Sequence, residues 1–179
     1  MTRRLYAAIV FCIAVAFFAS MPVQSADPKD PLAFLKPITG KVWLGHYADS
    51  ETEHFNHLMK WAPILEGKAI RAEKMVPELD FFMETLFFWD PSAKEVRYMS
   101  LTNRGQLSEG AVSQEDGAIV LLGKSHEASG NREYKMTMKI LKNGSLEDRF
   151  FLKRDGQWHQ GHLITYSITN DAGHAGLFD

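Results

Sequence analysis

The stretch REYKMTMKILKNGSLEDRFFLKRDGQWHQGHLITYS, residues 132–167, decides the fold. It contains three runs in which apolar and polar residues alternate, separated by Asn143-Gly144 and Asp155-Gly156. Alternation at period two marks a strand with one buried face. Asn-Gly and Asp-Gly accept the positive φ angles of a tight hairpin turn, so the three runs read as an antiparallel meander.

Because alternate strand residues share a face, the side chains can be sorted. Tyr134, Met136, Met138 and Ile140 fall on one side of their strand, and Leu146, Asp148, Phe150 and Leu152 on one side of the next. In the third, Trp158, Gln160, His162, Ile164, Tyr166 and Ile168 share the apolar face, while His159 falls on the wetter one. His159 and His162 are therefore expected on opposite faces unless a bulge intervenes.

Working outward, turn signals recur at short spacing: Glu66-Gly67, Asp90-Pro91-Ser92, Asn103-Arg104-Gly105, Asp116-Gly117 and Ser129-Gly130-Asn131. Between them fit ten strands, at 41–48, 54–62, 68–76, 81–89, 95–103, 107–114, 118–124, 132–142, 145–154 and 157–168. No segment within this region sustains a 3.6-residue period over a dozen positions, which excludes an α/β fold with crossover helices. So many sequential strands need closure to remove exposed edges. The expected fold is all-β: one up-and-down antiparallel barrel of about ten strands over 40–169, with a short N-terminal helix. Phe55, His57, Met59 and Trp61 share one face, as do Val42, Leu44 and His46, and these faces are expected to line the interior.

The ends read differently. Arg3-Arg4, the apolar run Leu5 to Ser20, and Pro22-Val23-Gln24-Ser25 together have the form of a secretory signal peptide over 1–25. Residues 26–39 form an N-terminal segment with a short helix, Asp30 as N-cap and Pro31 at its first position. Residues 170–179 read as a flexible tail. Cys12 is the single cysteine and leaves with the signal, so the mature chain has neither disulfide nor thiol nucleophile. Without Arg3 and Arg4, 18 Lys+Arg face 22 Asp+Glu, a formal charge of −4 with no basic block. Nucleic acid and, after signal cleavage, membrane surfaces are thus excluded as expected partners. The destination is expected to be secreted or periplasmic.

Gly40-Lys41-Val42-Trp43-Leu44-Gly45, following a short helix and opening the first strand, resembles the start of calycin barrels: lipocalins, fatty-acid-binding proteins and nitrobindins. A likeness covering nearly the whole mature chain rests on Trp61, Leu65-Glu66-Gly67-Lys68, Phe88-Trp89-Asp90, Gly105, Gly110, Asp155-Gly156-Gln157-Trp158 and Gly161-His162-Leu163-Ile164-Thr165-Tyr166. By it the chain resembles an exported bacterial family of unknown function with a lipocalin-like barrel. The resemblance implies fold and export, places Trp43 as a plug at the closed end, and supplies no catalytic residues.

The expected function is non-enzymatic binding of a small, largely apolar molecule inside the barrel, with Trp61, Trp89, Trp158, His162 and Tyr166 lining the site. Two alternatives stay open. Resemblance to nitrobindins implies a haem-binding barrel with His162 as iron ligand; a filled barrel would be a structural or interaction module. His46, His57 and His162 could face inward together, but at no recognised metal spacing. No Gly-x-Ser-x-Gly elbow is present. Among the candidate carboxylates Glu84, Glu109 and Asp148, Asp148 alternates with Leu146 and Phe150 and is expected to pair with an arginine, from Arg97, Arg104 or Arg132. The cluster Phe81, Phe82, Phe87, Phe88 and Trp89 is apolar on both faces, so residues 28–38 or a second subunit in a homodimer are expected to cover one of them.

Overall fold

A computed structural model describes residues 29–48, 54–128 and 130–178. The signal-peptide reading of 1–25 lies outside them. Ten strands follow in order: β1 Val42–Tyr47, β2 His57–Ile64, β3 Ala69–Val76, β4 Phe81–Asp90, β5 Glu95–Thr102, β6 Leu107–Glu115, β7 Ala118–Glu127, β8 Gly130–Ile140, β9 Leu146–Arg154 and β10 Gln157–Thr169. Each pairs antiparallel with its neighbours in sequence, and β1 closes on β10 from Val42↔Thr169 to Tyr47↔Ile164. This is the expected closed ten-stranded barrel, compatible with a calycin-like fold. The tightest hairpins sit where the sequence places them: Asp116 and Gly117 have φ of 48° and 74°, Asp155 and Gly156 50° and 77°. Two successive positive φ values match the right-handed twist of the strands they join.

One end of the barrel is plugged. A 3-10 helix, Ala33–Ile38, buries Leu35 and Ile38, and with the preceding Leu32 they join Trp43, Val96 and Leu146 in the inner core. Trp43 is 1% exposed, and its Nε1 donates to the Ile38 carbonyl at 3.0 Å. The helix differs from the expected one. It starts after Leu32, no side chain caps it, and Asp30 instead pairs with Lys36. Pro37 has no N–H to give and lies inside it, so short i to i+3 bonds replace an α-helical ladder. Since these apolar residues enter the barrel end, they belong to the inner core.

The C-terminal segment also departs from expectation. Asp171 caps a short helix, α1 Ala172–Gly176, by accepting from the Gly173 N–H at 2.7 Å. Phe178 behind it is buried at 9% exposure, with Lys60 Nζ of β2 5.8 Å from its ring centre. A capped turn and one buried aromatic dock the segment that composition alone presents as a tail.

Midway up the barrel, cross-strand registers place Phe87, Tyr98, Gly110, Gly123 and Tyr134 in one row across β4 to β8. The Tyr98 hydroxyl donates to the Tyr134 hydroxyl at 2.6 Å, spanning the two glycine strands. A Cβ on Gly123 would stand 2.0 Å from the Tyr98 oxygen and 2.2 Å from the Glu109 carbonyl oxygen, and one on Gly110 2.2 Å from the Leu122 carbonyl oxygen. The glycines are the clearance that the tyrosine bridge requires. Gly123→Ala is expected to destabilise the fold by about 3 kcal/mol or more, since the clash involves backbone as well as side chain. Urea denaturation followed by far-UV circular dichroism measures it.

Candidate functional site

One level above the tyrosine bridge, toward the end opposite the plug, the register aligns Ala72, Thr85, Ser100, Ser108 and Ser125 across β3 to β7. Five adjacent strands thus contribute small side chains at the same height. Interiors close up only where side chains interdigitate, and this row cannot reach the opposite wall. The result is a cavity of about 340 Å³, within the range of small-molecule sites. Met59, Trp61, Phe87, Leu121, Met136 and Phe150 supply much of its apolar wall. Thr85 and Ser100 share a hydrogen bond of 2.7 Å between their hydroxyls on the polar side. Gln106, Glu127 and Arg132, all near strand ends remote from the plug, stand at the mouth.

Aromatic rings frame the space. Trp61 stacks on Phe87 at 4.6 Å, and Tyr134 lies 5.4 Å from Phe150. Phe150 in turn stacks on His162 at 5.1 Å with 12° between planes. His162 then meets the edge of Tyr47, and Tyr47 that of His57.

Of the five residues expected to line the ligand site, Trp61 and His162 border the cavity. Trp89 is half-buried and packs against the core elsewhere, and Tyr166 is fully buried in the wall behind Lys74. Trp158 corrects the expectation outright. In β10, Gln160 pairs with Phe151 but His162 with Phe150, leaving Gly161 as an extra residue in a bulge. A bulge reverses the alternation that precedes it. Trp158 consequently pairs with Lys153 and lies outside, its ring within 5.7 Å of Lys135 and Lys153 Nζ. His159 pairs with Leu152, which borders the cavity, so His159 and His162 share the inner face, with His159 exposed. Gly161 was the available signal, since an isolated glycine in a strand pattern marks bulges. His46 is also corrected: Trp43, Gly45 and Tyr47 face inward on β1, leaving His46 exposed on the other face.

The cavity's charged pole joins Asp148, the carboxylate singled out in the sequence, to a partner that was not foreseen. Lys74 of β3 and Asp148 of β9 reach each other across the lumen, Nζ to Oδ2 at 3.7 Å, with side chains 11% and 2% exposed. A lysine therefore takes the place expected for an arginine; Arg97 pairs with Glu95 and Arg132 with Glu127. Burial works against the Lys74 cation, yet the facing Tyr166 and Asp148 turn its pKa upward. Burial likewise pushes Asp148 up while Lys74 pulls it back. At 3.7 Å in a poorly solvated space, burial opposes the charge on each group and the facing partner favours it. Burial, opposed by Lys74, lifts the Tyr166 phenol to about 12.

Beside this pair, His57 is 4% exposed, and among the described residues neither of its ring nitrogens has a hydrogen-bond partner. Burial first, and the Lys74 cation second, lower its pKa from 6.5 to about 4. Glu109 pairs with His126, and among the described residues no three His, Cys, Asp or Glu side chains converge on a metal position. Comparison with known proteins finds no family model that matches the chain and no curated protein similar to it.

The depressed pKa makes the folded state resist a proton that the unfolded chain accepts. Above pH 6.5 His57 is neutral in both states; between 6.5 and 4 it removes up to about 3 kcal/mol of stability as pH falls. His57→Phe retains a ring against Tyr47 and removes both orphaned nitrogens. The variant is expected to match or exceed the parent at pH 7.5 and to gain on it steadily down to pH 4, measured by urea denaturation at each pH.

Proposed function

We propose that the protein is an exported barrel that holds a small, largely apolar molecule in its interior and does no chemistry on it. One observation carries the reading: the row Ala72, Thr85, Ser100, Ser108 and Ser125 holds open a space of about 340 Å³ against Trp61, Phe87 and Phe150. Larger side chains at those five positions would fill a barrel of this size, as small barrels are commonly filled. Such a row is destabilising for a purely structural module, because each missing contact forfeits dispersion energy. Apolar walls with a few placed hydroxyls suit a bound molecule.

His162 borders the same space, as a haem ligand would have to. Its ring, however, lies flat on Phe150 with Nε2 buried, a geometry that fits a wall residue better than an axial ligand. Haem therefore enters no step of this reading.

Titration with the neutral fluorophore N-phenyl-1-naphthylamine tests the proposal. Saturable one-to-one binding is expected, with energy transfer from tryptophan. Ser100→Phe, which fills the space, should weaken it at least tenfold with the melting transition retained. Absence of saturable binding would favour a structural module. A haemin Soret band abolished by His162→Ala would favour the haem reading.

A further inference from the structure

Among the described residues, four formally charged side chains border the cavity: Lys74, Asp148, Glu127 and Arg132. They stand as two matched pairs, Lys74 to Asp148 at 3.7 Å inside and Arg132 to Glu127 at 3.1 Å at the mouth. The mouth pair is further tied down, since Ser125 Oγ donates to Glu127 Oε1 at 3.2 Å and Gln106 Nε2 to the same oxygen at 3.4 Å. A ligand carboxylate would need a cation with no competing anion, and a ligand amine the converse. The described residues offer neither, and an added charge would compete with a partner already in place while losing its own hydration. Hydroxyls, by contrast, both donate and accept, and the small-residue row carries four of them, on Thr85, Ser100, Ser108 and Ser125.

Resting on the binding reading above, we propose that the site selects a neutral amphipathic molecule, an apolar body bearing an uncharged oxygen function such as an alcohol or ester, and discriminates against fatty acids and alkyl amines. The apolar body lies along Trp61, Phe87 and Phe150, and the oxygen function meets the hydroxyl row. The lumen's own ion pairs act as the filter, excluding each sign of charge by the partner that already holds the opposite one.

Displacement of N-phenyl-1-naphthylamine by 1-decanol, decanoate and decylamine at pH 7.5 tests this on the intact mature chain. Decanol should displace the probe at concentrations at least tenfold below either charged analogue. Asp148→Asn leaves Lys74 without its anion, and the affinity for decanoate relative to decanol should then rise about tenfold. Should Asp148→Asn fold poorly, Glu127→Gln at the mouth frees Arg132 and should favour decanoate in the same direction. Decanoate equal to or better than decanol in the parent protein, or no gain for decanoate in a folded variant, would overturn the charge filter. So would failure of decanol to displace a bound probe. Failure of the probe itself to bind is a separate outcome, which removes the binding reading and this inference with it.

Discussion

The interior depends on two adjacent rows of the same sheet being filled in opposite ways. At one level Tyr98 and Tyr134 meet over Gly110 and Gly123, large side chains spanning strands that have none. One level up, β3 to β7 contribute Ala72, Thr85, Ser100, Ser108 and Ser125 and nothing spans them. The lower row forms a rigid floor, and the upper one leaves a room above it. Cross-strand register converts a difference of two residues along each strand into a difference between solid and hollow.

The floor and the plug divide the work of stability. Below the tyrosine bridge, Trp43, Leu35 and Ile38 close the barrel end with an apolar core that needs one polar accommodation, the Trp43 Nε1 bond to Ile38. Above it, the apolar wall is interrupted by Lys74, Asp148, His57 and Tyr166, groups whose burial opposes folding unless each is paired or neutral. Lys74 and Asp148 solve this by mutual attraction across the lumen, His57 by staying unprotonated.

Much of the fold was legible because antiparallel barrels are local. Each strand pairs with its sequence neighbours, and several of the connecting turns announce themselves in their residues, as Asp116-Gly117 and Asp155-Gly156 do. Inward faces read correctly in β8 and β9, where alternation is unbroken. They failed in β10 because one extra residue at Gly161 moved Trp158 outside and brought His159 to the side of His162. They failed in β1 because Trp43, Gly45 and Tyr47, not Val42, Leu44 and His46, face in. A period-two pattern says which residues share a face, and composition alone misjudges which face is inner when both carry apolar groups.

The sequence by itself determined the all-β class, the strand count, the hairpin order and the presence of Trp61 and His162 on the inner wall, since each follows from local periodicity and turn chemistry. Tertiary structure decided what no window of sequence contains. Alignment of five small residues from five strands, the meeting of Lys74 with Asp148 and the passage of Tyr98 over two glycines all depend on register and closure. Those are set by the sum of pairings around the whole barrel, so the cavity and its charge balance exist only once β10 has closed on β1.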